Sequence, residues 1–166
     1  MTLGDLGQIP LDHRVVNQLS VPRETIDQLA AFLDLLLKWQ PRINLVSSAT
    51  LADAWHRHIL DSAQLAVFLP ETGAHILDIG SGAGFPGLVL SIITDNQVTL
   101  VESDQRKSVF LQTVIRELRL STTVRNERVE AIPAMGANIV TARALASIKR
   151  LLQLLDKQLP SVEKCL

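Results

Sequence analysis

Asp78-Ile79-Gly80-Ser81-Gly82-Ala83-Gly84-Phe85 is the stretch whose reading decides the fold. Just before and into it, His75-Ile76-Leu77-Asp78-Ile79 has the length and apolar character of a short buried strand. Just after it, Pro86 is placed as the first residue of a helix running through Leu88, Val89 and Ile92. Glycines between a strand and a helix permit a tight turn and let a ligand approach the backbone amides closely. In an open α/β sheet such a ligand sits at the carboxyl ends of the strands.

Working outward, Val98-Thr99-Leu100-Val101 reads as a second strand, Thr122-Thr123-Val124 as a third and Ile139-Val140-Thr141-Ala142 as a fourth. Val109, Phe110, Val114, Ile115 and Leu118 give a helix between the second and third, and Ile148 to Leu155 reads as a helix after the fourth. Alternation of this kind predicts a parallel sheet with helices on both faces. Upstream, Ile26, Leu29, Leu33, Leu36 and Leu37 recur at helical spacing until Pro41. A second helix is expected from Thr50, which forms a capping-box pattern with Asp53, and it places Leu51, Trp55, Ile59 and Ala63 on one face. The expected organisation is a weakly ordered segment 1–21, a helical layer 22–70 and a Rossmann-like core 71–166, packed together as one domain.

Composition constrains the chemistry. The chain has 166 residues, 47% hydrophobic and 20% charged, with a net charge of -1, so it lacks the global positive field of a protein that coats nucleic acid indiscriminately. The single cysteine, Cys165, rules out an internal disulfide and a cysteine-built metal cluster. Apolar runs such as Leu88 to Ile93 are too short to span a membrane, and Asp5 and Asp12 sit where a signal peptide is uncharged. A cytoplasmic protein is expected.

Two features favour S-adenosylmethionine (SAM) over a dinucleotide. The glycines at 80, 82 and 84 lack the two-residue gap before the third glycine of the dinucleotide fingerprint. Asp78 lies just before the loop, where a carboxylate attracts the cationic, amine-bearing end of SAM and repels a pyrophosphate. Glu102, at the end of the second strand, is placed to accept hydrogen bonds from both ribose hydroxyls, a role NAD needs as well. Phe85, inside the loop, is expected to wall the adenine or the methionine. Val129-Glu130, after the third strand, is expected to meet adenine. The rival class, a short-chain dehydrogenase with Tyr-x-x-x-Lys chemistry, is excluded because the chain has no tyrosine.

The acceptor is constrained by elimination only. A cytosine-C5 enzyme needs a nucleophilic cysteine, but Cys165 follows Lys164 near the chain end; an exocyclic-amine DNA enzyme uses Asn/Asp-Pro-Pro-aromatic, and no Pro-Pro occurs. Acceptors that are already nucleophilic remain, guanine N7 among them, since its lone pair carries no proton. Arg143, ending the fourth strand at the ligand edge, is the candidate for orienting the cofactor or the base, with no general base expected. Arg57, Arg106 and Lys107 are the candidate RNA contacts. Arg116, Arg119, Arg125, Arg128, Lys149 and Arg150 are further basic positions that could extend that surface. His58 reads as a buried structural histidine with Asp61 as its partner, Trp39 as core, and Asn44 as an Asx-type tie for its loop.

Six segments in order carry a resemblance: Lys38-Trp39, Asn44-Leu45-Val46-Ser47, Arg57-His58-Ile59-Leu60-Asp61-Ser62, the 78–87 loop, Lys107 to Leu111, and Arg143-Ala144-Leu145-Ala146-Ser147. Over about residues 24 to 150 the chain resembles the bacterial small-subunit ribosomal RNA methyltransferase G family, also called glucose-inhibited division protein B. The Arg-His-Ile-Leu-Asp-Ser run is specific to that family; the glycine loop is shared by most SAM enzymes. The resemblance implies N7 methylation of one guanine in the decoding-centre loop of 16S rRNA, within the 30S subunit or its precursor, by a monomer. It also implies a SAM site using Gly80, Phe85, Val129, Glu130 and Arg143. Family members continue into further strands and a Leu-Lys-Gly turn, so the last strands of the sheet are expected to be missing here. Two other readings stay open: a small-molecule methyltransferase of the same fold, and a non-catalytic SAM- or RNA-binding module.

Overall fold

The computed structural model describes residues 8–143, 148–154 and 164–166. Residues 1–7 of the expected segment 1–21, the run Ala144-Leu145-Ala146-Ser147 and the expected helix end at Leu155 therefore lie outside the described residues.

Helix α1 (His13–Leu19) is capped by Asp12, whose side chain accepts from the Arg14 and Val15 amides. Helix α2 (Arg23–Trp39) follows the expected apolar spacing and buries Ile26, Leu29, Phe32, Leu33, Leu36 and Leu37. The next helix departs from expectation. Helix α3 (Ser48–Leu51) begins before Thr50, with Ser47 at its cap. The Thr50 hydroxyl donates to the Ser47 carbonyl at 2.9 Å rather than capping a helix of its own. A π-helical turn (Trp55–Leu60) then leads into α4 (Asp61–Ala63) and a 3-10 turn (Gln64–Phe68). The apolar face is nevertheless as read: Leu51, Trp55, Ile59 and Ala63 are all buried. Widened π turns are frequent at functional sites, and this one carries Arg57 and His58.

Strand β1 (Thr72–Ile79) is followed by α5 (Gly87–Ile93), β2 (Asp95–Val101), α6 (Gln105–Leu118), β3 (Thr122–Arg125), β4 (Ile139–Ala142), α7 (Ile148–Leu154) and β5 (Lys164–Cys165). Pro86 sits one position before the helix it was expected to open. The strands form one parallel five-stranded sheet in the order β3-β2-β1-β4-β5. The Rossmann-like α/β reading therefore holds, with a fifth strand pairing Lys164 and Cys165 against Ile139 and Val140.

The order reverses between β1 and β4. Both crossovers on the β3-β2-β1 side step in one direction, so right-handedness puts α5 and α6 on the same face. That face packs Ile76, Val98 and Leu100 against Leu88, Phe110 and Val114, and α2 joins the same apolar cluster. The Phe110 ring lies 6.5 Å from Phe32 and 5.7 Å from Trp39, which locks α2 onto α6. The opposite face buries Leu77, Ile79, Val101 and Val140 under Ile132, Ala137 and Leu151 of α7. Among the described residues, no helix is long and apolar enough to cross a membrane.

Candidate functional site: the pocket at the strand switch point

The loop after β1 turns through positive φ at Gly80, Gly82 and Gly84. Other residues adopt that region at a cost, which is why glycine occupies it. Ser81 fastens the turn from within: its amide donates to the Val101 carbonyl at 3.1 Å and its hydroxyl to the Asp78 carbonyl at 2.8 Å. The glycines differ in what surrounds them. A Cβ on Gly84 would lie 2.8 Å from Leu88 Cγ and 3.2 Å from Leu111 Cδ2, inside the core. A Cβ on Gly82 would meet nothing nearer than the Gly80 carbonyl at 3.7 Å, because that side of the loop faces the pocket.

Glu102 follows β2 and closes the loop from the other side. The Gly82 amide donates to Oε2 at 2.8 Å and the Asp104 amide to Oε1 at 2.7 Å. Asn126 in turn donates to the Glu102 carbonyl at 2.8 Å. Asp104 caps α6 by accepting from the Arg106 and Lys107 amides. The carboxylate is thus 7% exposed yet held at the pocket wall by backbone donors. The pocket runs from Glu102, Ser103 and Lys107 across Gly80–Ala83 to Phe85 and Arg143, with Leu45 from the N-terminal layer beside them. A second cleft, bounded by Phe68, Gly73 and Asn138, lies at the opposite ends of the strands, where open α/β sheets do not carry ligands.

Leu45 is placed by Gln40, a residue that sequence reading passed over. Its buried amide accepts from the Leu45 and Val46 backbone at 3.1 Å each and donates to the Val46 carbonyl at 2.7 Å. Asn44 receives only a 3.3 Å contact from the same side chain, so the loop is tied by Gln40 rather than by an Asx bond. A glutamine directly after the apolar run and before Pro41 is the one sequence signal that could have pointed to it.

Arg143 follows β4 and is half-buried. Its guanidinium lies 5.0 Å above the Phe85 ring, 3.2 Å from His58 Nδ1, 3.6 Å from Asp61 Oδ2 and 3.5 Å from the Arg57 carbonyl. Burial is the main influence on its pKa and lowers it, while Asp61 and Asp78 oppose that shift. His58 stacks on Phe85 at 4.8 Å and 19°, and its Nε2 contacts Thr50 Oγ1 at 3.0 Å. Burial, with Arg143 next, lowers the His58 pKa to about 4, so the ring is neutral at physiological pH. Asp61 serves Arg143 and is not the histidine's hydrogen-bond partner.

Several candidate residues occupy places other than those expected. Asp78 is fully buried beneath the loop and does not line the pocket. Its Oδ1 accepts from Thr141 at 2.7 Å, while Oδ2 lies against Gly87 without a hydrogen bond. Burial pushes its carboxyl up to about 6, opposed by the Thr141 and Ser81 hydroxyls, the nearby Gly87 amide and the Arg143 charge. Phe85 lines the pocket with one edge, yet it is 3% exposed and packs 5.1 Å from Phe32, so it is equally a core residue. Val129 packs on the second apolar cluster, and the exposed Glu130 pairs with Arg150 at 3.2 Å; neither lines the pocket. Lys107 sits on the pocket wall, whereas Arg106 points to solvent near Asp104 and the Arg57 side chain is exposed.

A model of the family described as rRNA small subunit methyltransferase G matches residues 25–166. The chain belongs to that family. Ribosomal RNA small subunit methyltransferase G of Paramagnetospirillum magneticum is 49% identical over 138 residues, which are 83% of this chain and 67% of that protein. The protein of the same name from Gluconobacter oxydans is 52% identical over 134 residues, 81% and 69% of the two chains. The chain thus spans about two thirds of the length of these methyltransferase G relatives. Among solved structures, the branched-chain polyamine synthase of Thermus thermophilus, in complex with N4-aminopropylspermidine and 5'-methylthioadenosine, superposes with a TM-score of 0.57 at 14% identity. It covers 80% of this chain and 40% of that one, a likeness that establishes the fold alone.

Proposed function

We propose that this chain transfers the methyl group of SAM to N7 of a guanine in the decoding-centre loop of 16S rRNA, within the 30S subunit or its precursor. It acts as a cytoplasmic monomer. Family membership supports SAM as the cofactor and small-subunit rRNA as the substrate. The pocket suits that cofactor: Gly82 leaves open space where a Cβ would stand, and Glu102 offers a carboxylate to a ribose. When bound, SAM supplies an electrophilic methyl group. The chain's own part is placement. Glu102 and the Gly80–Ala83 loop, over β1 and β2, would hold the nucleoside portion. Arg143, over β4 on the other side of the loop, would orient the acceptor.

The observation that carries N7 is the state of the titratable groups at this pocket. Among the described residues lining it, Glu102 is bound to two backbone amides, and Lys107 and Arg143 are cations. His58, just behind Arg143, has its basic Nδ1 directed at the guanidinium. Glu102 keeps its remaining lone pairs for the ribose on the cofactor side, so none of these groups is placed to take a proton from the acceptor, and N7 carries none. Holding a lone pair in line with the methyl group supplies the catalysis. Incubation with tritiated SAM and 30S subunits from a strain lacking the gene should give 7-methylguanosine on nucleoside analysis. The single-turnover rate should be flat from about pH 6.5 to 9, because His58, at about 4, titrates well below that window and the buried Asp78, raised to about 6, does not line the pocket. Methylation at another atom, or a steep limb inside the window, overturns the chemistry; transfer to a small molecule favours the broader methyltransferase reading. SAM binding with no transfer leaves a binding module.

A further inference from the structure

Among the described residues Arg143 has three polar partners, and they are not equivalent. The Asp61 carboxylate and the Arg57 carbonyl stand at 3.6 and 3.5 Å, and Asp61 is half exposed. His58 Nδ1 is the nearest, at 3.2 Å, and belongs to a side chain only 6% exposed. A guanidinium has donors and no acceptor, so the Nδ1 it meets must be an unprotonated acceptor. The proton of the neutral ring is then on Nε2, which donates to Thr50 Oγ1 at 3.0 Å. Thr50 is committed to that role. Its hydroxyl donates to the Ser47 carbonyl at 2.9 Å, so its oxygen can only accept from His58, as it does from Ser47 Oγ at 3.2 Å. Along the line Ser47 carbonyl, Thr50, His58, Arg143, each link has a donor facing an acceptor, and only one tautomer satisfies it.

We propose that His58 is the positioning residue for Arg143: its Nδ1 lone pair fixes the guanidinium over Phe85 at the pocket mouth, and Thr50 selects the tautomer that provides the lone pair. A neutral buried acceptor leaves the guanidinium its charge, whereas a buried carboxylate in the same place would cancel it. The screened, half-exposed Asp61 does so only weakly. The positive charge therefore stays available to an electron-rich base or phosphate. The rate readout of this assignment rests on the methyl-transfer reading; the tautomer readout does not.

The charged groups facing the imidazole are Arg143 from the end of β4, Asp61 and Arg57 from its own helical stretch, and Asp53 from the turn before it. Protonation of His58 turns Nδ1 from acceptor to donor and sets two cations face to face, releasing Arg143. The test uses the full chain with SAM and 30S subunits. His58→Leu should lower the single-turnover rate roughly tenfold or more while the SAM Kd, read by calorimetry, changes less than about twofold. His58→Asn, whose Oδ1 takes the place of Nδ1, should keep the rate within about threefold of wild type. In circular-dichroism-verified folded protein, wild type should lose rate as pH falls from about 5 toward His58's pKa of about 4. His58→Asn should lack that limb. Independently of turnover, 15N NMR of the His58 ring should show a single Nε2–H tautomer, which Thr50→Val converts to a mixture. Equal loss in the Leu and Asn variants, an acid limb that persists in His58→Asn, or mixed tautomers in wild type overturns the proposal. A wild-type chain that transfers no methyl at all sinks the proposed function, while the ring spectrum still decides the role of His58.

Discussion

The two sides of the pocket are built differently. Over β1 and β2, the Gly80–Gly84 loop and Glu102 are backbone-held: amides point at a carboxylate and glycine torsions set the turn. Over β4, the Arg143 side is held by side chains drawn from three separated segments: Thr50, the 57–61 turn and Phe85. Backbone-held parts follow from a short local pattern. Side-chain-held parts depend on where distant segments meet. The lesson is that one side should fail through conformation and binding, the other through orientation and rate.

The largest effect expected from that contrast lies within the loop itself. Gly84→Val adds a branched side chain at φ +91 against Leu88 and Leu111, and should cost about 2–6 kcal/mol in denaturant unfolding from strain and overpacking together. Gly82→Val meets open space on the protein side, so it should fold with only the torsional cost of about 1–3 kcal/mol. Titration of that folded variant should show SAM affinity lower by roughly a hundredfold or more, about 3 kcal/mol. If Gly82→Val binds SAM like wild type, the loop is not the site and the comparison collapses. Next in size, Glu102→Ala should weaken SAM about tenfold to a hundredfold, the value of hydrogen bonds to a charged group. It should also loosen the loop, because the Gly82 and Asp104 amides lose their acceptor. Smallest is Arg143→Lys. It keeps the charge but cannot reach His58, Asp61 and the Phe85 face together, so the single-turnover rate should fall about tenfold with little change in SAM Kd. A large rise in Kd there would move Arg143 to the cofactor side and erase the contrast.

Legibility in the sequence follows the same division. The strand-loop-helix order and Glu102 at a strand end were readable, because alternating apolar runs and glycine punctuation encode them within a short window. The parallel sheet followed from the alternation of elements. What escaped reading depended on tertiary packing. Thr50 and Asp53 satisfy a capping pattern, yet Ser47 opens the helix earlier, and the Thr50 hydroxyl donates to the Ser47 carbonyl while its oxygen meets His58. Asp61 was matched to the nearer His58, whereas Arg143, far along the chain, is its ionic partner. Phe85 lines the pocket, as its place in the loop suggested, but its second role in the core against Phe32 of α2 was not legible. Asp78 adjoins the glycines in sequence, yet strand alternation and Thr141 on β4 turn its carboxylate beneath the sheet edge.

Glu102 has one more consequence. A carboxylate offers about four lone-pair directions. Two are taken by the Gly82 and Asp104 amides, one on each oxygen, so each oxygen retains one. That remainder is the valence of a vicinal diol presented edge-on: two hydroxyls, two acceptors, side by side on a rigid mount. If Glu102 takes the ribose as proposed, the site would count hydroxyls rather than merely attract polarity, and would tell a ribose from a deoxyribose before any contact with the base is made.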